Sequence, residues 1–267
     1  MSCKTRLKKA YDHAKRLPLQ DCCRYVVISD CHRGTGTVYD NFLKNQHLYF
    51  AALEYYYMRN FCYIELGDGE ELWENRDYNR IRDCHSNVYW MFENLKQRNQ
   101  SVRVYGNHNM ELRHEMEECV VLENKGGGRD ICLLHGHQAD VFNSVFWRLS
   151  RFLVRYFWKP LEKFGVNDPT SAAVNYKKQK KYEHCLEKFA NEMDVYLIAG
   201  HSHRPRLPEQ AEDGLYVNSG SCVHPRCITA IEIEHGKMTL VKWTMATRPD
   251  MTLFVDRVVL AGPLNIT

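Results

Sequence analysis

The chain has 267 residues, of which 44% are hydrophobic, 12% aromatic and 26% charged, and its formal net charge is +3. These values are typical of a globular protein with a substantial core, and they exclude a disordered chain and a strongly basic one. No segment with the composition of a linker divides the sequence. We therefore expect one domain over residues 1–267.

The N-terminal segment is basic but lacks the features of an export signal. Residues 3–16 predict a short amphipathic helix, because Leu7, Ala10, Tyr11 and Ala14 recur on one face. Neither an apolar core region nor a cleavage site of small residues follows, and no apolar stretch is long enough to span a bilayer. We expect a cytoplasmic protein, and contact with a membrane surface is left open.

Apolar runs, most of them ending in short polar motifs, are the main feature of the sequence up to residue 203. The runs at 24–28, 63–66, 102–105, 131–134 and 195–199 have the composition of buried or half-buried strands. The motifs are Ser29-Asp30-Cys31-His32, Gly67-Asp68-Gly69-Glu70, Gly106-Asn107-His108-Asn109, His135-Gly136-His137 and Gly200-His201-Ser202-His203. Strand, motif and helix repeat through residue 116, which predicts an α/β core whose strands feed loops at one end.

Further elements are predicted between and after these strands. Asp40 stands where an N-cap precedes a helical pattern. Helices are predicted over residues 42–60, 78–98, 140–163 and 174–192, and residues 165–169 form a break between the last two. Alternating residues at 228–234 and 238–243 predict a β-hairpin, and residues 253–260 predict a last strand. The segment of about 140–192 is therefore a helical insertion in the single domain.

The first helix of the insertion is aromatic and cationic. Arg148, Arg151, Arg155 and Lys159 recur at steps of three and four residues beside a face of aromatic and aliphatic side chains. Such a helix has two interpretations. It is either a lid over an anionic and partly apolar substrate, or a helix that packs on the sheet through its apolar face.

The cysteine content is high, but no disulfide framework is evident. The eleven cysteines are scattered and include no Cys-x-x-Cys pair, so we expect most of them to be reduced packing residues. Cys31 lies between two candidate ligands in the first motif. Because side chains alternate along a strand, we favour a Cys31 that points away from the site over a metal thiolate.

The five motifs carry the chemistry of the chain. Asp, His and Asn at several strand ends are donors suited to Mn, Fe or Zn, and together they suggest a two-metal phosphoesterase site. Each motif taken alone is common among unrelated proteins. The ordered set is much more specific than any one member.

The ordered motifs resemble the calcineurin-like metallophosphoesterase family, whose pattern is Asp-x-His, Gly-Asp-x-x-Asp or Glu, Gly-Asn-His-Asp or Glu, a later His and Gly-His-x-His. The match spans residues 29–203. It implies a four-layer αββα sandwich with an inserted helical cap. It also implies two divalent metal ions, for which we expect manganese, with iron and zinc as alternatives. One ion is implied to bind Asp30, His32, Asp68 and His203, and the other Asp68, Asn107, His135 and His201.

The same resemblance implies a mechanism. A hydroxide that bridges the two ions hydrolyses a phosphomonoester or phosphodiester without a covalent enzyme intermediate, and His108 is the catalytic residue that assists the leaving oxygen or stabilises the phosphoryl charge. The family usually has an acidic residue after this histidine to orient it, where this chain has Asn109. Glu70 and Glu71 follow Asp68, and we expect one of them to support a ligand by a hydrogen bond.

Four arginines are candidates for substrate binding: Arg33, Arg204, Arg148 and Arg151. Arg33 and Arg204 flank ligand motifs, where a planar guanidinium suits phosphate oxygens, although either residue can instead face solvent. We expect His137 to be a turn residue or to support a ligand. The turn formed by Asn218-Ser219-Gly220-Ser221 is expected to be structural.

A partial resemblance narrows the substrate class. The stretch from Gly67 to Trp73, the His135-Gly136-His137 motif and Gly200-His201-Ser202-His203-Arg204-Pro205 are similar to bacterial UDP-diacylglucosamine pyrophosphohydrolases, which have an arginine at the position of His108. Because of this difference at His108, the activity of those enzymes is not transferred, and it is the aromatic, arginine-bearing helix that suggests a phosphorylated small-molecule substrate linked to a nucleotide or a lipid. Two alternatives stay open. One is a metal-binding scaffold with weak catalysis, and the other is a nuclease, which the small net charge disfavours.

Overall fold

The computed structural model describes residues 2–140, 144, 146–158 and 176–266. Within them lie the α-helices α1 (Cys3–Asp12), α2 (Gln46–Met58), α3 (Tyr78–Cys84), α4 (Ser86–Gln97), α5 (Trp147–Leu153) and α6 (Tyr176–Met193). The strands are β1 (Lys15–Leu19), β2 (Arg24–Ile28), β3 (Cys62–Leu66), β4 (Ser101–Val104), β5 (Cys119–Asn124), β6 (Ile131–Leu134), β7 (Tyr196–Ala199), β8 (Tyr216–Asn218), β9 (Cys227–Glu234), β10 (Lys237–Thr247) and β11 (Leu253–Asn265).

The strands form two mixed sheets. The five-stranded sheet has the order β1-β5-β6-β7-β8, and the six-stranded sheet has the order β11-β10-β9-β2-β3-β4. Strands β2, β3 and β4 run parallel, as do β6, β7 and β8. Parallel neighbours end at the same edge of a sheet, so the loops that follow them gather at that edge.

Two apolar clusters show how the sheets are layered. Val27 of β2 lies in the cluster that joins the two sheets and also includes Leu7 of α1 and Leu186 of α6. Its neighbours Val26 and Ile28 lie in a second cluster with residues of α2 and α4. Because strand side chains alternate between faces, the order of layers is helix, sheet, sheet, helix. The predicted α/β class and four-layer αββα sandwich are confirmed.

Several predicted helices have different bounds in the structure. Helix α1 ends at Asp12, four residues before the predicted end, and strand β1 follows it. The predicted N-cap is confirmed, because the Asp40 side chain accepts a hydrogen bond from Phe42 N, but a 3₁₀ turn, Asn41–Lys44, precedes α2. The long helix predicted over residues 78–98 is two helices, α3 and α4, that meet at His85. His85 Nε2 lies 3.0 Å from Asp40 Oδ2, which fixes the break.

The C-terminal hairpin is confirmed, since β9 and β10 pair antiparallel. Strand β11 begins at the predicted residue, Leu253, and continues to Asn265. Strands β1 and β5 were not predicted. They pair with each other in parallel from Lys15 opposite Val120, a contact between distant parts of the chain that local periodicity does not show.

The helical insertion is described only in part. Helix α5 continues into a π-helical turn, Val154–Trp158. Helix α6 packs on the five-stranded sheet, where Leu186 and Phe189 join its core. The predicted break at 165–169 and Lys159 lie outside the described residues. The single domain with an insertion at about 140–192 stays a prediction.

The cysteines differ from expectation at one point. Cys3 and Cys185 form a disulfide between α1 and α6, which pack side by side. The other nine cysteines are free, as expected. Cys31 is fully buried in the cluster under α2 and α4, so its thiol points away from the candidate ligands, as predicted. Among the described helices, none has both the length and the apolar character of a membrane span.

Candidate metal centre

The candidate ligands follow strand ends in both sheets. Asp30 and His32 follow β2, Asp68 follows β3, Asn107 and His108 follow β4, His135 follows β6, and His201 and His203 follow β7. The loops after β2 and β3 are joined by backbone hydrogen bonds, from Asp30 N to Gly67 O at 3.0 Å and from His32 N to Asp68 O at 2.8 Å. Packing of the two sheets therefore brings residues that are far apart in sequence to one place.

Five of the candidate ligands have a left-handed backbone. Their φ angles are 53° at Asp30, 49° at His32, 51° at Asp68, 65° at His201 and 56° at His203. Residues other than glycine rarely adopt positive φ, and where they do, they often mark functional sites. This conformation turns the chain sharply after β2, β3 and β7 and aims the side chains at the centre.

One cluster of ligand atoms is formed by Asp30, His32 and His203. Asp30 Oδ1 lies 3.0 Å from His203 Nε2. The Nε2 atoms of His32 and His203 lie 3.3 Å apart. Two imidazole nitrogens and a carboxylate oxygen thus converge on one point, which is a donor set suited to a divalent transition metal.

A second cluster is formed by Asp68, His135 and His201. His135 Nδ1 donates to Leu66 O at 2.9 Å, which leaves Nε2 as the acceptor, 3.0 Å from Asp68 Oδ2. Within the described residues, His135 Nε2 and Asn107 Oδ1 are buried without a hydrogen-bond partner. Buried acceptors are normally satisfied, so these two atoms fit a bound cation.

The charges of the centre keep its carboxylates ionised. Burial alone would raise the pKa of Asp30, but the charges of His203 and His135 hold it well below its usual range. Burial likewise opposes ionisation of Asp68, and the charges of His135 and His108 lower its pKa. Burial lowers the pKa of His135, but Asp68 and Asp30 raise it to about 9. A metal ion at the centre would displace the proton from Nε2 of His135, which would then be a ligand atom.

Glu71 connects the first cluster to His108. Its Oε2 accepts from His32 Nδ1 at 2.7 Å, and its Oε1 accepts from His108 Nδ1 at 2.7 Å. A carboxylate on the outer nitrogen of a histidine fixes the tautomer, and it turns Nε2 of His32 toward the ligand cluster. Of Glu70 and Glu71, it is Glu71 that makes the expected hydrogen bond to a candidate ligand.

Glu71 also supplies the acidic partner that Asn109 cannot provide. Burial opposes the charged form of His108, but Glu71 and Asp68 raise its pKa to about 9. Asn109 has another role, because its Oδ1 accepts from Gly106 N at 2.6 Å and its Nδ2 donates to Glu70 Oε2 at 3.0 Å. Asn109 therefore closes the turn that presents His108.

The prediction that Arg33 contacts phosphate is wrong. Arg33 is completely buried, and its Nη2 donates to Glu65 Oε1 at 2.6 Å and to Glu70 Oε1 at 3.2 Å. Its guanidinium lies 5.3 Å from the ring centroid of Phe92, in the helix-covered layer of the six-stranded sheet. Consecutive side chains point in opposite directions here, so His32 faces the centre and Arg33 does not.

The other predicted residues have different surroundings. His137 is buried in a 3₁₀ turn, and its ring lies 5.7 Å from that of His135. Asn218 Nδ2 donates to Gly200 O at 2.8 Å, which gives the Asn218 turn the structural role that was expected. Arg204 is exposed beside His203. Arg148 and Arg151 line a pocket near Trp73, and their role in binding substrate stays a prediction.

Two residues of the site had no role assigned from the sequence. The Trp73 ring stacks on His108 at 4.3 Å between centroids and an angle of 21°. Its motif was noted, but stacking depends on the approach of the two loops. His224 is half-buried, and burial and the charge of His203 lower its pKa. No motif marks His224.

Gly106 permits the close approach of the β3 and β4 loops. A Cβ at this position would collide with Asp68 Oδ1 and lie 2.6 Å from Asp68 N. We expect Gly106→Ala to lower the free energy of unfolding by about 2 kcal/mol, because overpacking forces the backbone to move. Urea unfolding measures the effect. Gly126→Ala is the control, since its nearest atom is the flexible Asn124 side chain at 3.2 Å. Equal stability of the two variants would contradict this packing.

Comparisons with known proteins give only distant similarity. No protein-family model matches the chain, and no curated protein matches it. Among solved structures, the chain is similar to Vps29 from Chaetomium thermophilum, with 14% identity, 91% of this chain and 100% of that chain covered, and a TM-score of 0.43. Vacuolar Protein Sorting 29 from Cryptosporidium parvum is 14% identical, with 90% of this chain and 100% of that chain covered and a TM-score of 0.41. A cold-active protein tyrosine phosphatase is 14% identical, with 93% of this chain and 83% of that chain covered and a TM-score of 0.44.

Proposed function

We propose that the protein is a dinuclear metal-dependent phosphoesterase that hydrolyses a phosphomonoester or a phosphodiester. The supporting observation is the pair of adjacent ligand clusters. Among the described residues, His135 Nε2 in the second cluster is buried without a hydrogen-bond partner, as is Oδ1 of Asn107, which follows β4. Asp30 Oδ1 lies 3.9 Å from His135 Nε2, so the clusters are neighbours. Two sites this close suit a pair of ions that share one phosphate group.

The side chains divide between the two ions. Asp30, His32 and His203 would hold one, His135, His201 and Asn107 the other, and Asp68 would bridge them. Bound divalent ions supply Lewis acidity, which acidifies water and neutralises charge on a phosphoryl group. We propose manganese as the native metal, because the oxygen ligands of Asp30, Asp68 and Asn107 suit it, while the four histidines keep iron and zinc as alternatives.

His108 has the surroundings of a general acid. The Glu71 carboxylate accepts a hydrogen bond from its Nδ1, and Glu71 and Asp68 raise the pKa of His108 to about 9 against the effect of burial, which favours the protonated ring. Its side chain is 22% exposed, whereas that of Asp68 is only 2% exposed. The His108 side chain is therefore accessible from outside the centre, and it can donate to the leaving oxygen or to the phosphoryl group of a substrate.

A reconstitution experiment tests the proposed function. The protein is stripped with a chelator, reloaded with Mn, Fe(II) or Zn, and assayed with aryl phosphomonoesters and phosphodiesters and with nucleotide-linked diesters. We expect hydrolysis that returns with metal, most strongly with manganese, and two bound ions per chain by elemental analysis. Absence of hydrolysis with every metal and substrate would contradict the proposed phosphoesterase activity and favour a metal-binding scaffold with weak catalysis.

A further inference from the structure

A pocket lined by five arginines lies beside the candidate metal centre. Its volume is about 590 Å³, and it lies between α5 with the following π-helical turn and the loops after Glu71 and Met110. We call it the arginine pocket, and its arginines are Arg76, Arg113, Arg148, Arg151 and Arg155. Glu111 is the one carboxylate among the pocket's lining residues. Since the whole chain has a net charge of only +3, positive charge is concentrated here.

Three of these arginines, Arg76, Arg151 and Arg155, are positioned by hydrogen bonds or an ion pair with other residues of the protein. Arg155 donates from Nε to Trp73 O at 2.9 Å and from Nη2 to Leu72 O and Asn75 O. Arg76 Nη2 donates to Tyr156 Oη at 2.7 Å, and Arg151 pairs with Glu111. These contacts join the insertion to the loop after the β3 motif and build the walls of the pocket.

Arg113 and Arg148 differ from the other three. Both are exposed, and neither is in an ion pair within the described part of the chain. Arg148 lies near the Trp147 ring, at 5.5 Å from its centroid, and Arg113 makes one long contact of 3.4 Å with Met110 O. A guanidinium has five N–H donors, so both side chains retain donors that can reach a ligand in the pocket.

The pocket places like charges close together. Burial and the neighbouring charge of Arg155 lower the pKa of Arg151, and burial and the charge of Arg76 lower that of Arg155. If these arginines only formed the solvent-exposed face of a helix, their side chains would be expected to extend away from one another into water. Guanidinium groups that converge on a concave surface repel one another until an anion binds between them.

The pocket is separated from His108 by a single side chain. Arg155 binds the Trp73 carbonyl, and the Trp73 ring stacks on His108 at 4.3 Å. The arginine pocket and the candidate metal centre are therefore neighbours, which is the arrangement that a substrate with two anionic groups requires.

We propose that the arginine pocket binds a second phosphate group of the substrate, so that the substrate class is a phosphoester with at least two phosphate groups. This inference rests on the proposed function. The planar fork of arginine suits phosphate oxygens, and several forks in one pocket suit a dianion better than a single lysine would. The scissile phosphate lies at the metal centre, and the second one selects the substrate.

Binding of inorganic pyrophosphate to the metal-free protein tests the pocket without any hydrolysis. We expect calorimetry to show binding to the chelator-treated wild type, and binding at least about 10-fold weaker to the double variant Arg113→Gln, Arg148→Gln, which loses two charge-assisted contacts. The control is Arg80→Gln, Arg98→Gln, which removes the same charge from two exposed positions outside the pocket, one in α3 and one directly after α4. Equal affinity of the two double variants, or no binding to the wild type, would overturn the proposal.

A second measurement separates this inference from the proposed function. In the metal-loaded enzyme, the pocket variant should lose at least about 10-fold more kcat/KM for substrates with two phosphates than for an aryl monophosphate. Asp68→Asn should abolish both activities while pyrophosphate still binds to the metal-free variant. If no substrate is hydrolysed but pyrophosphate binding depends on Arg113 and Arg148, the proposed phosphoesterase activity is contradicted and the anion-binding role of the arginine pocket is supported. An equal loss of kcat/KM for substrates with two phosphates and for the aryl monophosphate would refute substrate selection by the pocket.

Discussion

Replacing Asp68 with asparagine is expected to lower kcat/KM by about 10³-fold or more, because the bound metals supply several kcal/mol of transition-state stabilisation. Asp68 is fully buried, with Oδ2 3.0 Å from His135 Nε2 and Oδ1 accepting from His108 N at 2.8 Å. It lies between the second ligand cluster and the His108 loop. Among the described residues, no other carboxylate contacts both the second ligand cluster and the His108 loop.

The asparagine variant is more informative than Asp68→Ala. Its Oδ1 keeps the hydrogen bond from the His108 amide, so the loop is held while the negative charge is lost. The alanine variant loses both. Asp83→Asn, at an exposed position of α3, removes the same charge away from the site. Steady-state kinetics, thermal unfolding and elemental analysis of bound metal are measured for all three.

Metal content decides how the result is interpreted. We expect Asp68→Asn to fold like Asp83→Asn but to bind less than two ions per chain, since the bridging charge no longer offsets the repulsion of two cations. A folded Asp68→Asn variant with unimpaired hydrolysis would falsify the dinuclear assignment.

Replacing His108 with glutamine is expected to lower kcat by about 10²–10⁴-fold, the usual contribution of a general acid. Metal content should stay unchanged, because His108 is not among the seven predicted ligands. Glutamine retains a polar group but cannot carry the positive charge that Glu71 maintains on the imidazole. His47→Gln, on the exposed face of α2, is the matched control. Wild-type kcat in His108→Gln would remove His108 from the mechanism.

The leaving group separates the two roles of His108. If the imidazolium protonates the leaving oxygen, the loss should be larger for phenyl phosphate than for p-nitrophenyl phosphate, because nitrophenolate leaves without a proton more easily. An equal loss with both substrates would assign His108 to stabilisation of charge on the phosphoryl group instead.

Local periodicity predicted most strands but not the position of helix ends. The run at 24–28 and the alternating hairpin of β9 and β10 lie where the pattern places them. The break at His85 was not predicted, because it depends on a contact with Asp40, 45 positions away. Strand β1 was not predicted for the same reason, since it is defined by pairing with β5 across the chain.

The sequence also left the partners of the central residues undecided. The spacing of the motifs could not show whether Glu70 or Glu71 supports a ligand. In the structure Glu70 contacts Arg33 and Asn109, while Glu71 contacts His32 and His108. Glu70 forms a β-bridge with Arg33, and consecutive side chains of an extended segment point in opposite directions, so Glu70 and Glu71 have different partners. Which of the two faces the centre depends on this pairing between the loops after β2 and β3, which residue type does not encode.

The sequence by itself determined the ordered set of polar motifs, the strands that most of them follow and the α/β class, because these depend on residue types and short periodicities. The tertiary structure decided which charges meet. It buried Arg33 behind the site, gave His108 its partner in Glu71, and brought Arg113 and Arg148 into one pocket. These outcomes depend on the packing of two sheets and on contacts between distant segments, which the free energy of the whole fold selects and no local pattern contains.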